Sequence, residues 1–99
     1  MKPVDKSDLT RWRSYDAVTA VLALAEHAKR DASFVPTGSA QTQRWHVSVG
    51  GHDFELLLTG PKFWDTRGRQ GGGGAVDLAM HLLGLDFKGA VRVLAERLG

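Results

Sequence analysis

"KFWDTRGRQGGGGAVDLAMHLL", Lys62 to Leu83, sets four consecutive glycines between a segment that reads as a strand and one that reads as a helix. Trp64 and two arginines, Arg67 and Arg69, stand just upstream. The glycines suit a loop that grips an anion, a metal knuckle that has lost its metal, or a plain connector. A phosphate-gripping Walker loop needs Gly-Lys-Ser/Thr at the helix start, so that a lysine and a hydroxyl reach phosphate and magnesium. Here the glycines run into Ala75-Val76-Asp77. The dinucleotide pattern GxGxxG fails as well, because the residue three beyond Gly73 is Val76. Asp77 would also sit in the first helical turn, where its carboxylate competes with a bound anion for the helix dipole. A nucleotide pocket is set aside.

Downstream, "AVDLAMHLLG" is a short helix, apolar nearly all round except for Asp77 and His81. Those two are four apart and share a face. With no nucleophile or third partner in view, they read as an exposed polar stripe rather than a catalytic pair, with Asp77 complementing the dipole. Gly84 ends this helix where a left-handed cap is expected. A last helix runs from about Phe87 to Leu98, with Asp86 as its cap. Phe87, Ala90, Val91, Leu94 and Leu98 form its apolar stripe.

Upstream, "RWHVSVGGHDFELLLTG" (44–60) holds two alternating runs around Gly50-Gly51, a pair that tolerates the positive φ of a tight hairpin. A two-residue turn puts Val49 opposite His52, Val47 opposite Phe54 and Trp45 opposite Leu56, all on the core side. His46, Ser48, Asp53, Glu55 and Thr59 take the wet side. Pro61 separates a third strand, Lys62 to Thr66, from this hairpin. Ser14 stands where a helix cap should, and Tyr15, Val18, Leu22 and Ala25 recur at helical spacing to about Ala28. "KRDASFVPTGSAQTQ" (29–43) is a loop by composition. The expected architecture is α+β: a small three-stranded antiparallel sheet, hairpin plus third strand, packed by one N-terminal and two C-terminal helices. Residues 1–13 form a flexible arm, and 14–99 a single domain.

Ninety-nine residues suit one small core. Apolar residues make up 42% and charged residues 24%, a globular balance rather than a disordered one. The longest apolar run, Ala17 to Ala25, is broken by Thr19 and falls short of the ~18 residues of a membrane span. A soluble, cytoplasmic protein with no membrane partner is expected. The absence of cysteine removes disulfides, thiolate zinc sites and cysteine nucleophiles. A net charge of +2 permits nucleic-acid binding without demanding it. His46, His52 and Glu55 fall near one hairpin, but His52 lies on the opposite side of the sheet, which speaks against a shared metal.

Phe63-Trp64, Gly74-Ala75-Val76-Asp77-Leu78, Phe87, Ala90-Val91 and Leu94-Ala95 together resemble the C-terminal half of the CHC-type zinc-binding domain that opens bacterial DNA primases. That family pairs an aromatic strand and a Cys-x-x-Cys knuckle with a Gly-rich turn and a Gly-x-Ala-Ile-Asp-Phe-like helix start. The likeness covers residues 45–98. It places Thr66 and Arg69 at the two cysteine positions, and Val35 to Gln43, which hold no Cys or His, near the earlier ligand pair. The resemblance therefore implies a metal-free relative with no cofactor. In the family this domain engages single-stranded template DNA, while polymerisation belongs to another domain.

A binding role without catalysis is the implied function, with single-stranded DNA or another nucleic acid as partner. Replication or plasmid-transfer proteins are further expected partners, and the chain is expected as a monomer. Cations for the backbone and aromatic faces for bases are the chemistry of single-strand binding. Lys62, Trp64, Arg67, Arg69, Gly72 and Gly73 supply the expected contact surface. Trp12, between Arg11 and Arg13, reads as an anchor for the arm. The alternative is a protein-interaction or regulatory module of a mobile genetic element, using the same surface.

Overall fold

The computed structural model describes residues 6–99, with side chains from Leu9 onward. Nine elements follow in chain order: α1 (Lys6–Arg13), α2 (Ala17–Leu24), β1 (His27–Arg30), β2 (Gln43–Val49), β3 (His52–Thr59), β4 (Lys62–Asp65), β5 (Gln70–Gly73), α3 (Ala75–Leu83) and α4 (Phe87–Leu98). The strands form one antiparallel sheet in the order β1-β2-β3-β4-β5, each paired with its sequence neighbours.

The α+β class holds, but the sheet has five strands and not three. Both additional strands lie at the edges, and both lack the side chains that advertise a strand. β1 reads His-Ala-Lys-Arg, with no β-branched or aromatic residue, and β5 reads Gln-Gly-Gly-Gly. Each forms because a neighbouring strand offers a hydrogen-bonding ladder, not because of intrinsic preference. The glycine run is thus strand rather than loop. The first long helix is also shorter than its periodicity suggests. Asp16, not Ser14, caps α2, accepting from the Thr19 amide at 3.1 Å. The helix stops at Leu24, and Ala25 is already extended. The arm expected over 1–13 is helical from Lys6, so two helices precede the sheet; the rest of it lies outside the described residues. Trp12 is buried in the core, 2% exposed.

The β2–β3 hairpin has the expected register: Val49↔His52, Val47↔Phe54 and Trp45↔Leu56. Gly50 and Gly51 both take positive φ (55° and 81°), the geometry of a type I′ turn that matches strand twist. Val47, Val49, Leu56, Leu58 and Phe63 point into one core with Val21, Leu24, Leu78, Leu82 and Leu94. Trp45 and Phe54 are half-buried at its margin, and His52 is exposed beside the hairpin turn. Both C-terminal helices begin and end as expected. Asp86 accepts from the Gly89 amide at 2.8 Å, and Gly84 closes α3 in the left-handed conformation. Phe87, expected on the apolar stripe of α4, is exposed at the helix start. Among the described residues no helix is long and apolar enough to cross a membrane.

Candidate nucleic-acid interface

Helices cover the inner face of the sheet, and the outer face is left open. Strand alternation brings two cross-sheet rows of side chains onto it: Lys29–His46–Glu55 and Arg44–Leu57–Trp64. Trp64 is the large aromatic that the strands place on this face, and it is 46% exposed. Its indole lies across the backbone of Gly71, its partner on β5. A Cβ at Gly71 would stand 2.7 Å from the ring and 2.7 Å from the Phe63 carbonyl oxygen. The bare backbone is what lets the ring lie down with its far side to solvent.

Two cations border the face that carries the ring. Lys62 is exposed two residues before Trp64 on the same strand, and its ammonium has no hydrogen bond or ion pair among the described residues. On the other side, Arg67 reaches back from the β4–β5 turn over β3, its Nη1 donating to the Asp53 carbonyl at 3.4 Å. There it borders a shallow concavity of about 550 Å³ with Lys29, His46, Ser48 and Asp53.

The carboxylates of this face are already engaged. Asp31 accepts from the Ser33 hydroxyl at 2.6 Å and from Arg44 Nε at 2.9 Å, and these hold its carboxyl far below the usual range. Thr66 donates its hydroxyl to Glu55 at 2.6 Å, which lowers that carboxyl too. Asp53 accepts from Ser48 at 2.6 Å. Among the described residues the ammonium groups of Lys29 and Lys62 have no hydrogen bond or ion pair, so they are open to a ligand.

Beneath the face lies a tie between β4 and α3. Asp65 is the buried polar residue of the chain among those described, 4% exposed. One carboxylate oxygen accepts the Arg67 and Gly68 amides at 3.0 and 2.9 Å, closing the turn. The other meets His81 Nε2 at 2.7 Å. Burial pushes the Asp65 carboxyl up, but the Gly68 amide, the His81 ring and the Arg67 amide outweigh it, so it titrates below its ordinary value. Phe54 and Phe63 pack against the imidazole, with ring centres 5.7 and 5.4 Å away. His81 is therefore not part of an exposed stripe with Asp77, as its spacing suggests. Asp77 instead faces β5 and accepts from the Gly73 amide at 3.3 Å.

Of the six expected contact residues, Lys62, Trp64 and Arg67 come together on or beside the open face. Arg69 is exposed in the turn with a φ of 54°, a left-handed conformation uncommon for arginine. Gly72 faces inward, where a Cβ would stand 2.9 Å from Asp77 Cβ and from the Phe63 ring. Its role is to let α3 approach the sheet. Gly73 has open space at its Cβ position. Lys29, Arg44 and His46 belong to the same face and were not among the expected contact residues, although His46 was expected on the wet side of the hairpin. The alternation of β2 carried that signal for Arg44 and His46, while Lys29 needed β1 to be recognised as a strand.

Thr66 and Arg69, at the positions that the primase resemblance gives to cysteines, offer no zinc ligand. His46 and Glu55 are cross-strand partners, as the register requires. Among the described residues, no three His, Asp or Glu side chains gather as a metal set.

No protein-family model matches the chain, and no solved structure matches it. A 48-residue stretch, 48% of the chain, is 48% identical to a protein of Zymomonas mobilis subsp. mobilis described as a 65 kDa protein. The match spans only 8% of that protein's length.

Proposed function

We propose that this chain is a single-strand nucleic-acid-binding module, without catalysis of its own, that acts in the cytoplasm as a metal-free relative of the primase zinc-binding domain. The observation that carries the reading is Trp64, an exposed indole lying on a side-chain-free backbone, with Lys62 two residues before it on the same strand and Arg67 further along the same face, over β3 at Asp53. That is the pairing of stacking surface and backbone cation that single strands require. Lys29, Arg44, Lys62 and Arg67 outnumber Asp31, Asp53 and Glu55 on the same face, four cations against three carboxylates. Asp65 and His81 take the place of a metal clamp beneath the turn that carries Arg67.

The test is a titration with oligothymidylate at two salt concentrations. Trp64→Ala should weaken binding by roughly 5- to 100-fold, the worth of one stacked base. Lys62→Ala with Arg67→Ala should flatten the salt dependence by up to ~0.7 in slope per lost phosphate contact. Absence of binding at low salt would defeat the proposal and favour the protein-interaction alternative.

A further inference from the structure

The two edges of the sheet are built differently. β1 carries His27, Lys29 and Arg30, and charged side chains on an edge discourage another strand from pairing there. β5 carries Gln70 and three glycines and pairs only with β4. Among the described residues alternate peptide groups along its free side have no ladder partner, and β5 itself has no side chain after Gln70. The Gly73 amide, held by Asp77 at 3.3 Å, is the partial exception.

Two cavities open beside this edge, two residues apart along it. At Gly71 a cavity of about 460 Å³ is walled by Met80 and Leu85, with Asp77 and His81 on its floor. At Gly73 a cavity of about 220 Å³ is walled by Leu9, Val76 and Phe87, with Arg13 and the same Asp77 also in its lining. An extended chain laid on an edge projects same-side residues two apart, so its backbone bonds the edge while alternate side chains enter such pockets. His81 is occupied by its bond to Asp65, which leaves the Asp77 carboxylate as the group offered to a guest in the larger cavity. A lysine or arginine fits there, its methylene stem against Met80 and Leu85 and its head at Asp77. The smaller cavity, apolar on three sides, fits an aliphatic side chain.

We infer that the β5 edge is a docking site for an extended peptide segment of a protein partner, with a basic and an aliphatic side chain two positions apart. This surface is separate from the Trp64 face, so partner and nucleic acid bind together.

The probe is a short blocked threonine-rich peptide with lysine and leucine two positions apart, in both orders, added to isotope-labelled protein. Shifts should concentrate at the Gly71 and Gly73 amides and along α3. Replacing the peptide lysine with glutamate should weaken binding at least about tenfold, since a like charge meets Asp77. Asp77→Asn, which keeps an acceptor for the Gly73 amide, should erase most of that difference. Gly73→Pro removes the edge amide and its bond to Asp77, with open space at the Cβ position, and should abolish peptide binding in protein that melting shows to be folded. Saturating oligothymidylate should leave peptide affinity unchanged.

The inference fails if no shift occurs, if shifts fall on Lys62 and Trp64 instead, or if oligothymidylate displaces the peptide. It also fails if sedimentation shows a dimer that Gly73→Pro dissolves, because the edge then belongs to a second copy. Failure of the peptide to bind leaves the nucleic-acid titration of Trp64 untouched, and peptide binding at β5 does not depend on it, so the two readings are told apart.

Discussion

The β2–β3 and β4–β5 hairpins lie side by side in one sheet and are held by different forces. In β2–β3 each strand presents apolar side chains to the core: Val47 and Val49 on one, Leu56 and Leu58 on the other. Burial is the main force there, and it fixes register, since a slip of one residue would turn those side chains to solvent. In β4–β5 one strand has no side chain beyond Gln70. It is held by its ladder to β4, by the Asp65 turn, and by closeness of fit. Trp64 covers Gly71 from outside, and Asp77 and Phe63 crowd Gly72 from inside. A strand can thus exist as a thin plate between two layers, provided nothing projects from it. Side chains make the first hairpin stable, and their absence makes the second possible.

Leu56→Ala is the heaviest blow to the first hairpin. Leu56 is fully buried, and such a truncation costs about 2–5 kcal/mol through lost transfer energy and the cavity left behind. Against a total of roughly 5–15 kcal/mol, that is a large share for a domain of this size. Urea denaturation followed by circular dichroism should show the midpoint fall steeply. A loss below about 1 kcal/mol would mean that burial is not what distinguishes the two hairpins.

The polar tie comes next. Asp65→Asn keeps an acceptor for the Arg67 and Gly68 amides but removes the charge facing His81. It should cost about 1–3 kcal/mol, the usual loss when a buried polar group is left badly matched. The pH dependence follows from the sign of the shift. The Asp65 carboxyl is lowered in the folded state from an ordinary value of 3.8. Its contribution is fully present above that value and is lost as pH falls through the folded one. Asp31 and Glu55, also lowered, act in the same direction. Melting temperature should therefore drop below about pH 4 in the parent and drop less steeply in Asp65→Asn. Equal acid limbs in the two proteins would show that the tie does not carry the second hairpin.

How much of this could be read in advance follows the same division. The β2–β3 register was legible because alternation and a Gly-Gly turn leave one pairing that buries the apolar face. The caps of α3 and α4 were legible because capping is local chemistry. β1 and β5 were not, because they have no pattern of their own and depend on neighbours. The Asp65–His81 bond spans sixteen positions, so helical spacing pointed instead to Asp77. A clue was present: alternation from Phe63 puts Asp65 on the inner face, and a buried carboxylate demands partners. For the open face, Trp64 and Lys62 were visible as residues, but its breadth required all five strands.

The gentlest probe separates two neighbouring glycines. If β5 is a plate between layers, tolerance to a methyl group should depend on which layer it meets. At Gly72 a Cβ would stand 2.9 Å from Asp77 Cβ and the Phe63 ring, so Gly72→Ala should overpack the junction with α3 and cost about 1–3 kcal/mol. At Gly73 nothing lies within 4 Å, and its φ is not among the positive ones. Gly73→Ala should then change stability by no more than about 0.5 kcal/mol, and in the stabilising direction if the unfolded chain loses freedom. Paired thermal melts decide the matter. Equal losses at both positions would mean that the run is needed for backbone freedom throughout. A loss at Gly72 alone would mean that the glycines admit α3 and the indole, and that Gly73 is left clear on the open edge.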